Sequence, residues 1–105
     1  MAQFDVYRNP SESARRGMPY VVNIQSDLLN GLQTRLTIPL GIDKSLSGNA
    51  PRSLSPVLKF DGQTLFALPQ FTVAFRERDL GRSVGSLAEQ ASDIVAALDA
   101  VISGV

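Results

Sequence analysis

The amino-acid sequence predicts an α+β fold, in which a strongly bent, mainly antiparallel sheet of five or six strands is closed by one C-terminal helix. Two observations support this prediction. Several short segments before residue 78 alternate apolar and polar residues with a period of two, which is typical of strands with one buried face. From residue 86 onward the apolar residues follow a helical period instead. With 105 residues, the chain has the length of a single domain spanning 1–105.

Six segments are predicted to be strands, and two of them form a hairpin. The hairpin spans Val57–Leu68, where Asp61-Gly62 separates two apolar runs and tolerates the positive φ angles of a tight turn. Pro39 cannot donate an amide hydrogen, so it is expected at a sheet edge or a strand end. The other predicted strands are Gln3–Arg8, Tyr20–Gln25, Thr34–Leu40 and Phe71–Glu77.

The connections between these strands are polar, with one exception. Asn9–Pro19 is rich in Pro, Ser and Gly and is predicted to be a loop, and a second long loop is predicted from Gly41 to Pro56. The second loop is expected to contain one helical turn around 44–46. The exception is the turn after Gln25, where Leu28 and Leu29 are apolar.

The predicted helix begins with Ser86 and Glu89, which have the spacing of a capping box. One helical face is apolar and is expected to pack on the sheet. The opposite face contains mostly small residues, which favour a helix and also permit close approach of another backbone. The apolar face comprises Leu87, Ala91, Ile94, Val95, Leu98, Val101 and Ile102, and the opposite face includes Ala96, Ala97, Ala100 and Ser103.

The apolar character of this helix extends to the end of the sequence. Val105 would place a carboxylate at the negative end of the helix dipole, and Asp99 in the last turn adds a second negative charge there. Such an end is either a helix terminus without a function or a surface that gains from a cationic partner. The residues alone leave both interpretations open.

Composition argues against several functional classes. Ten Lys and Arg balance ten Asp and Glu, so the basic excess typical of direct nucleic-acid binding is missing. Without His or Cys, the commonest general base and the commonest soft metal ligands are absent, and Lys44 and Lys59 lie in no catalytic motif. We therefore expect no enzyme activity, no metal and no cofactor. The N-terminus resembles no signal peptide and no apolar run could span a bilayer, so we expect a cytoplasmic location without membrane contact.

A series of segments along the whole chain forms a recognisable pattern. It includes QFDVYRN (3–9), VNIQSDLL (22–29), TRLTIPL (34–40), LSPVLKFDG (54–62) and DIVAALDAVISGV (93–105), with Leu80-Gly81, Val84 and Leu87 before the helix. In order and spacing, these segments resemble the CcdB family of bacterial plasmid and chromosomal toxins.

The resemblance implies a fold and a function. Family members are homodimers of an SH3-like bent barrel with a long C-terminal helix. They bind the A subunit of DNA gyrase and trap the enzyme on cleaved DNA. A CcdA-like antitoxin neutralises the toxin, and the pair represses its own operon, so that operator DNA is bound only through the antitoxin. For the antitoxin contact, the loops Asn9–Pro19 and Gly41–Pro56 are the candidates.

The resemblance also implies a set of gyrase-binding positions. They fall in two segments, the turn after Gln25 and the end of the helix. They are Leu28, Leu29, Asp99, Ile102, Ser103, Gly104 and Val105.

The sequence departs from the best-known family members at several of these positions. Ser103 replaces a Trp, Ile102 replaces a bulky aromatic residue and Asp99 replaces an Asn, while Phe75-Arg76 stands where a Val-Pro pair is common. Aromatic anchors often dominate interface energy, so their loss weakens the expected contact. Two alternatives to a gyrase poison remain: a decayed member that keeps the fold and the antitoxin contact, and a MazF-like endoribonuclease. The zero net charge, the lack of His and the missing N-terminal Arg-Gly motif argue against the endoribonuclease.

Overall fold

The structure is a computed structural model, and it describes residues 2–48, 50–51 and 53–104. Within this part of the chain, seven strands and two α-helices alternate with four short 3₁₀ turns. The strands are β1 (Asp5–Arg8), β2 (Tyr20–Asn23), β3 (Thr34–Gly41), β4 (Val57–Phe60), β5 (Gln63–Ala67), β6 (Val73–Arg76) and β7 (Gly85–Ser86). The helices are α1 (Glu77–Leu80) and α2 (Ala91–Ser103), and the 3₁₀ turns are Asp27–Leu29, Lys44–Ser47, Pro69–Phe71 and Ala88–Gln90.

The strands form one curled antiparallel sheet with the order β4-β5-β3-β2-β1-β7, and β6 pairs with the first half of β3. Together with α2, this half-barrel confirms the predicted α+β fold. All six predicted strands are present, and β7 is an additional strand that is too short, at two residues, to leave an alternating pattern. The hairpin turn is as predicted, with positive φ at both Asp61 (51°) and Gly62 (75°).

The two faces of the sheet bury two separate apolar clusters. The larger one lies under α2 and includes Val6, Val22, Ile38 and Ile94. The smaller one lies on the other face, where Leu80 of α1 covers its neighbours in the sheet. Its members are Tyr7, Val21 and Leu80, with Phe75 packed against them. Alternation along each strand therefore supplies apolar residues to both faces.

Pro39 lies inside β3 and not at a sheet edge or a strand end, contrary to the prediction. It faces Val21 of β2 on one side. On its other side β3 changes partner, from β6 at residues 34–37 to β5 at residues 40–41. The missing amide hydrogen falls at this change of partner, and the Pro39 carbonyl accepts a hydrogen bond from the Leu68 amide at 3.0 Å.

The helix begins differently from the predicted capping box. Ser86 Oγ accepts a hydrogen bond from the Ala88 amide at 3.1 Å, and a 3₁₀ turn precedes α2. The start of the helix is attached to the free edge of β4 by the side-chain amide of Gln90. Its Oε1 accepts from the Lys59 amide at 3.0 Å, and its Nε2 donates to the Lys59 carbonyl at 2.8 Å. Gln90 thus takes the place of a further strand at this edge.

The packing face of α2 is narrower than predicted. Ile94 is fully buried and Leu98 packs against the larger cluster, as expected. Ala97, predicted on the opposite face, is also buried. The expected burial of Val95, Val101 and Ile102 is wrong, because all three side chains are exposed in this single chain. None of the helices in the described residues is long and apolar enough to cross a membrane.

Candidate functional site

The first candidate segment lies in the connection between β2 and β3. Together with the first residue of β3, we call it the leucine loop (residues 26–34). Leu28 and Leu29 lie on its 3₁₀ turn, with 95% and 48% of their surface exposed. Ser26 begins the turn, since its Oγ accepts a hydrogen bond from the Leu28 amide at 3.2 Å. The turn itself buries no residue. It therefore presents apolar side chains to solvent and contributes nothing to either cluster.

Polar side chains before the turn and within it hold this loop in place. Gln25 Nε2 donates to the Leu29 carbonyl at 3.2 Å, while its Oε1 accepts from the Leu36 amide at 3.1 Å. Asp27 Oδ1 accepts from the Gln3 amide at 2.8 Å. These bonds connect the leucine loop to β3 and to the segment before β1. No sequence pattern indicates them, because an isolated Gln has no characteristic spacing.

The second candidate segment is the end of α2. Ile102 has 75% of its surface exposed, and Asp99 and Ser103 are exposed as well. Ser103 Oγ donates to the Asp99 carbonyl at 2.6 Å, one turn earlier. Gly104 has left-handed backbone angles (φ 74°, ψ 18°), and its amide donates to the Ala100 carbonyl at 2.9 Å. Glycine suits this position because a Cβ is strained at positive φ.

Three exposed side chains of α2 lie on one side of the helix and lead to its end. Val95, Asp99 and Ile102 are separated by four and three residues, which places them in line along the surface of an α-helix. We call them the α2 strip. The sequence pattern assigns Val95 to the buried face, because a helical period shows which residues align but not where the packed face ends.

The α2 strip includes an acidic residue, Asp99, near the negative end of the helix dipole. Asp93 is favourably placed in the first turn of α2, but the last turn contains no basic residue. Asp99 therefore has an unfavourable interaction with the nearby helix carbonyls that no cation of its own turn offsets. A cationic group on a partner would relieve it. This supports the interpretation of the helix end as a contact surface.

The two candidate segments contact different parts of the chain. The bonds of the leucine loop run to the start of the chain, to β3 and to α1, whereas α2 packs on the larger cluster and on the turn Pro69–Phe71. Every predicted gyrase-binding position within the described residues is exposed. These are Leu28, Leu29, Asp99, Ile102, Ser103 and Gly104, while Val105 lies outside the described residues.

The two loops expected to bind the antitoxin lie side by side. The Ile42 amide donates to the Gly17 carbonyl at 3.0 Å. A Cβ built on Gly41 would lie 2.8 Å from a methyl carbon of Leu46, so the chain approaches closely there. Ile42 itself is half exposed. Residues far apart in sequence thus lie next to each other at this contact.

The described residues contain no group of three or more acidic side chains placed to hold a metal ion. An open groove of about 640 Å³ lies next to the leucine loop, between β3 and α1. Its walls are polar and charged. Its lining residues are Gln33, Thr34, Arg76, Glu77 and Arg78.

Among the described residues of this curled half-barrel, the two most exposed large apolar side chains lie in the leucine loop and at the end of α2, a pattern that favours contact with another protein. A family model described as CcdB protein matches residues 3–104 of the chain. The chain therefore belongs to the CcdB family, the toxins of toxin–antitoxin systems. A search of curated proteins finds no match.

Proposed function

We propose that this chain is a toxin that binds the A subunit of DNA gyrase and traps the enzyme on cleaved DNA. The observation that carries the proposal concerns exposure. Among the described residues, Leu28 and Ile102 are the two most exposed large apolar side chains. Both are positions at which the family resemblance implies gyrase contact. Apolar side chains this exposed gain free energy when a partner removes them from water.

The proposed mechanism requires no chemistry by the toxin itself. A bound protein shifts an equilibrium of its partner by the ratio of its affinities for the two states. The toxin therefore acts by binding the cleaved state of gyrase more tightly than the resealed state. Leu28 and the apolar members of the α2 strip supply buried area, and Asp99 pairs with a cation on gyrase. Gyrase acts in the cytoplasm, and the proposal places the toxin there as well.

We further propose that the active species is a homodimer. Leu36 and Ala74 are cross-strand neighbours on the α2 face of the sheet, and both remain exposed. Phe71, on the turn against which α2 packs, is also half exposed. A second copy that covers this corner would bury side chains that the single chain leaves in water. The two-fold relation also doubles the gyrase-binding segments.

A CcdA-like antitoxin is the second proposed partner. The adjacent loops 9–19 and 41–56 are its proposed site, because their contact at Gly17 and Ile42 creates one surface from two segments. Since the net charge is zero, the toxin is expected to approach operator DNA only through the DNA-binding domain of the antitoxin.

One specific observation favours the alternative of a decayed member. Ser103 stands where the best-known members have Trp, and its hydroxyl bonds to the Asp99 carbonyl of its own helix. It therefore presents no aromatic anchor to a partner. In that case the fold and the antitoxin surface remain, but gyrase poisoning is lost.

A cleavage assay tests the proposal. Purified protein is mixed with gyrase, supercoiled plasmid and ATP, and linear DNA is measured after the enzyme is denatured. A chain truncated after Ile102 is run beside it, with Ser92→Ala, an exposed change earlier on α2, as the matched control. Linear DNA from the full chain and the control, but not from the truncated chain, is the expected result. No linear DNA from the folded full chain would refute gyrase poisoning and leave the decayed member.

A further inference from the structure

Arg35 is an unusual residue in this fold, because its charged side chain is 99% buried. It is the largest of the fully buried side chains in the described residues. A buried guanidinium is costly unless hydrogen bonds and an opposite charge compensate it. Its partners therefore indicate what the residue does.

Three of these partners are backbone carbonyls of the leucine loop. Arg35 Nη1 donates to the carbonyls of Leu32 at 2.5 Å and Thr34 at 2.8 Å, and Nη2 donates to the carbonyl of Asn30 at 3.0 Å. One rigid fork thus gathers the second half of the loop, which a single Lys ammonium could not reproduce in the same plane.

The fourth partner connects this arrangement to α1. Nη2 also contacts Glu77 Oε2 at 3.2 Å, and the Glu77 amide donates to the Gln33 carbonyl at 2.8 Å. The Glu77 carboxylate is half exposed, so solvent weakens the attraction between the two charges. The pair therefore contributes mainly by fixing the position of the guanidinium next to α1. Within the described residues, Arg35 Nε has no hydrogen-bond partner. The loop carbonyls and Glu77 supply the polar contacts that fix the guanidinium.

The loop needs such a support because it has no core of its own. Residues 27–34 are all exposed, including Leu32 at 51%. A segment without buried apolar contacts is ordered only by its hydrogen bonds. A loop that is already ordered loses less entropy when it binds a partner.

We propose that Arg35 is a positioning residue, which holds the leucine loop in the shape that presents Leu28 and Leu29 to a protein partner. The binding part of this inference rests on the proposed function. The ordering part does not, because it concerns the free toxin. Arg35 itself touches no partner, since its guanidinium is covered by the loop carbonyls.

Hydrogen exchange of the free protein tests the ordering part. In Arg35→Lys, the amides of Asn30 and Leu32, which bond within the loop, should exchange at least about tenfold faster, as expected when a charged hydrogen bond is lost. The amides of Val22 and Ile38, paired inside the sheet, should not change. Unchanged loop exchange in a folded Arg35→Lys protein would overturn the proposal.

Gyrase affinity tests the binding part. Arg35→Lys should weaken binding about tenfold, whereas Arg76→Lys, an exposed change beside the same loop, should leave it unaltered. If Arg35→Lys does not fold, Glu77→Gln takes its place, because it removes the counter-charge from an exposed position and should give the same pattern in weaker form. Faster loop exchange without any loss of affinity would refute the positioning role.

A rescue variant separates positioning from general stabilisation. Gly31 has no positive φ, and a Cβ there would meet nothing within 4 Å, so Gly31→Ala fits and stiffens the loop. Added to Arg35→Lys, it should restore part of the lost affinity. Because this change also raises overall stability through the unfolded state, Gly17→Ala, which fits outside the loop, is the control. Rescue by Gly31→Ala but not by Gly17→Ala supports positioning, whereas equal rescue by both would mean that Arg35 acts through stability alone and would overturn the positioning role. If the unaltered toxin fails to bind gyrase, the proposed function is wrong, while the exchange experiment still decides whether Arg35 orders the loop.

Discussion

Replacement of Leu28 by alanine should abolish most of the toxin's action and leave its stability unchanged. Burying a whole leucine side chain is worth about 1.5–3 kcal/mol. Leu28 is 95% exposed, so folding gains almost none of this free energy from it. If gyrase covers the side chain, the same free energy is lost from binding, which corresponds to about 10- to 150-fold in affinity.

The assay compares two measurements on the same proteins. Thermal unfolding gives the stability, and the toxin concentration that produces half of the maximal cleaved DNA gives the potency. Leu32→Ala is the matched control, because Leu32 is the same residue type in the same loop but lies outside the predicted gyrase contacts. We expect the potency of Leu28→Ala to fall by at least about tenfold and that of Leu32→Ala to stay within about twofold.

Two results would refute this reasoning. Equal potency of Leu28→Ala and the parent would mean that the most exposed apolar side chain of the described residues is not an anchor. An equal loss in both variants, together with lower melting temperatures, would mean that the substitutions act through the loop's structure and not through contact with gyrase.

Three further predictions concern the fold. Ile94→Ala removes a fully buried side chain from the packed face of α2 and should lower the free energy of unfolding by about 2–5 kcal/mol. The melting temperature should fall strongly, and a small fall would mean that α2 is loosely packed. Gly85→Ala would place a Cβ 2.5 Å from Phe60 Cε1 and should lower the free energy of unfolding, measured by thermal melting, by about 1–3 kcal/mol. Phe60→Leu in the same chain should restore part of this stability, and no restoration would mean that the clash is relieved elsewhere. Burial, aided by the charges of two nearby acidic residues and opposed by Arg35, raises the pKa of Tyr7 above its usual value of 10.0. The stability that depends on neutral Tyr7 is therefore fully present below pH 10.0 and is lost as the pH rises through the raised pKa. In Tyr20→Phe, Tyr7 is the only tyrosine, so the absorbance of its phenolate should have a titration midpoint above 10.0. A midpoint at or below 10.0 would contradict the burial.

The features that sequence analysis predicts correctly are those that local chemistry determines. The Asp61-Gly62 turn requires positive φ at two successive residues, and few residue pairs tolerate this. The short helical turn expected near Lys44 is present from Lys44 to Ser47, where the side chain of Asp43 accepts a hydrogen bond from the Ser45 amide. In both cases the signal lies within a few residues of the structure it produces.

The features that sequence analysis misses depend on contacts distant in sequence. Pro39 is tolerated inside β3 only because two other strands meet opposite it. Arg35 is buried only because its loop folds back over it, and nothing in the alternation of β3 distinguishes it from a solvent-exposed charge. Val95 is exposed although it belongs to the predicted apolar face, because a helical period does not show how wide the packed face is.

The candidate site depends on two kinds of residue, and the sequence indicates only one of them. The resemblance to the family points to Leu28 and Ile102, and both side chains are exposed in the structure, as a contact with a partner requires. The resemblance does not indicate the polar side chains that hold the leucine loop, because a Gln and an Arg that bond to backbone carbonyls have no motif. Residues proposed to touch a partner are therefore easier to predict than those that fix their geometry.

Different residues of α2 serve stability and the proposed binding, and this bears on the positions that depart from the family pattern. On α2, buried Ile94 secures the helix, while Val95 and Ile102 face solvent on the strip, so binding residues can change without loss of the fold. With Ser103 in place of a Trp, the helix end has less apolar area to offer, and the leucine loop must supply a larger share of any affinity that remains. A disordered loop would lose that share to entropy, whereas one gathered by Arg35 would retain it. The buried arginine should therefore matter more in this toxin than in relatives that keep the aromatic anchor.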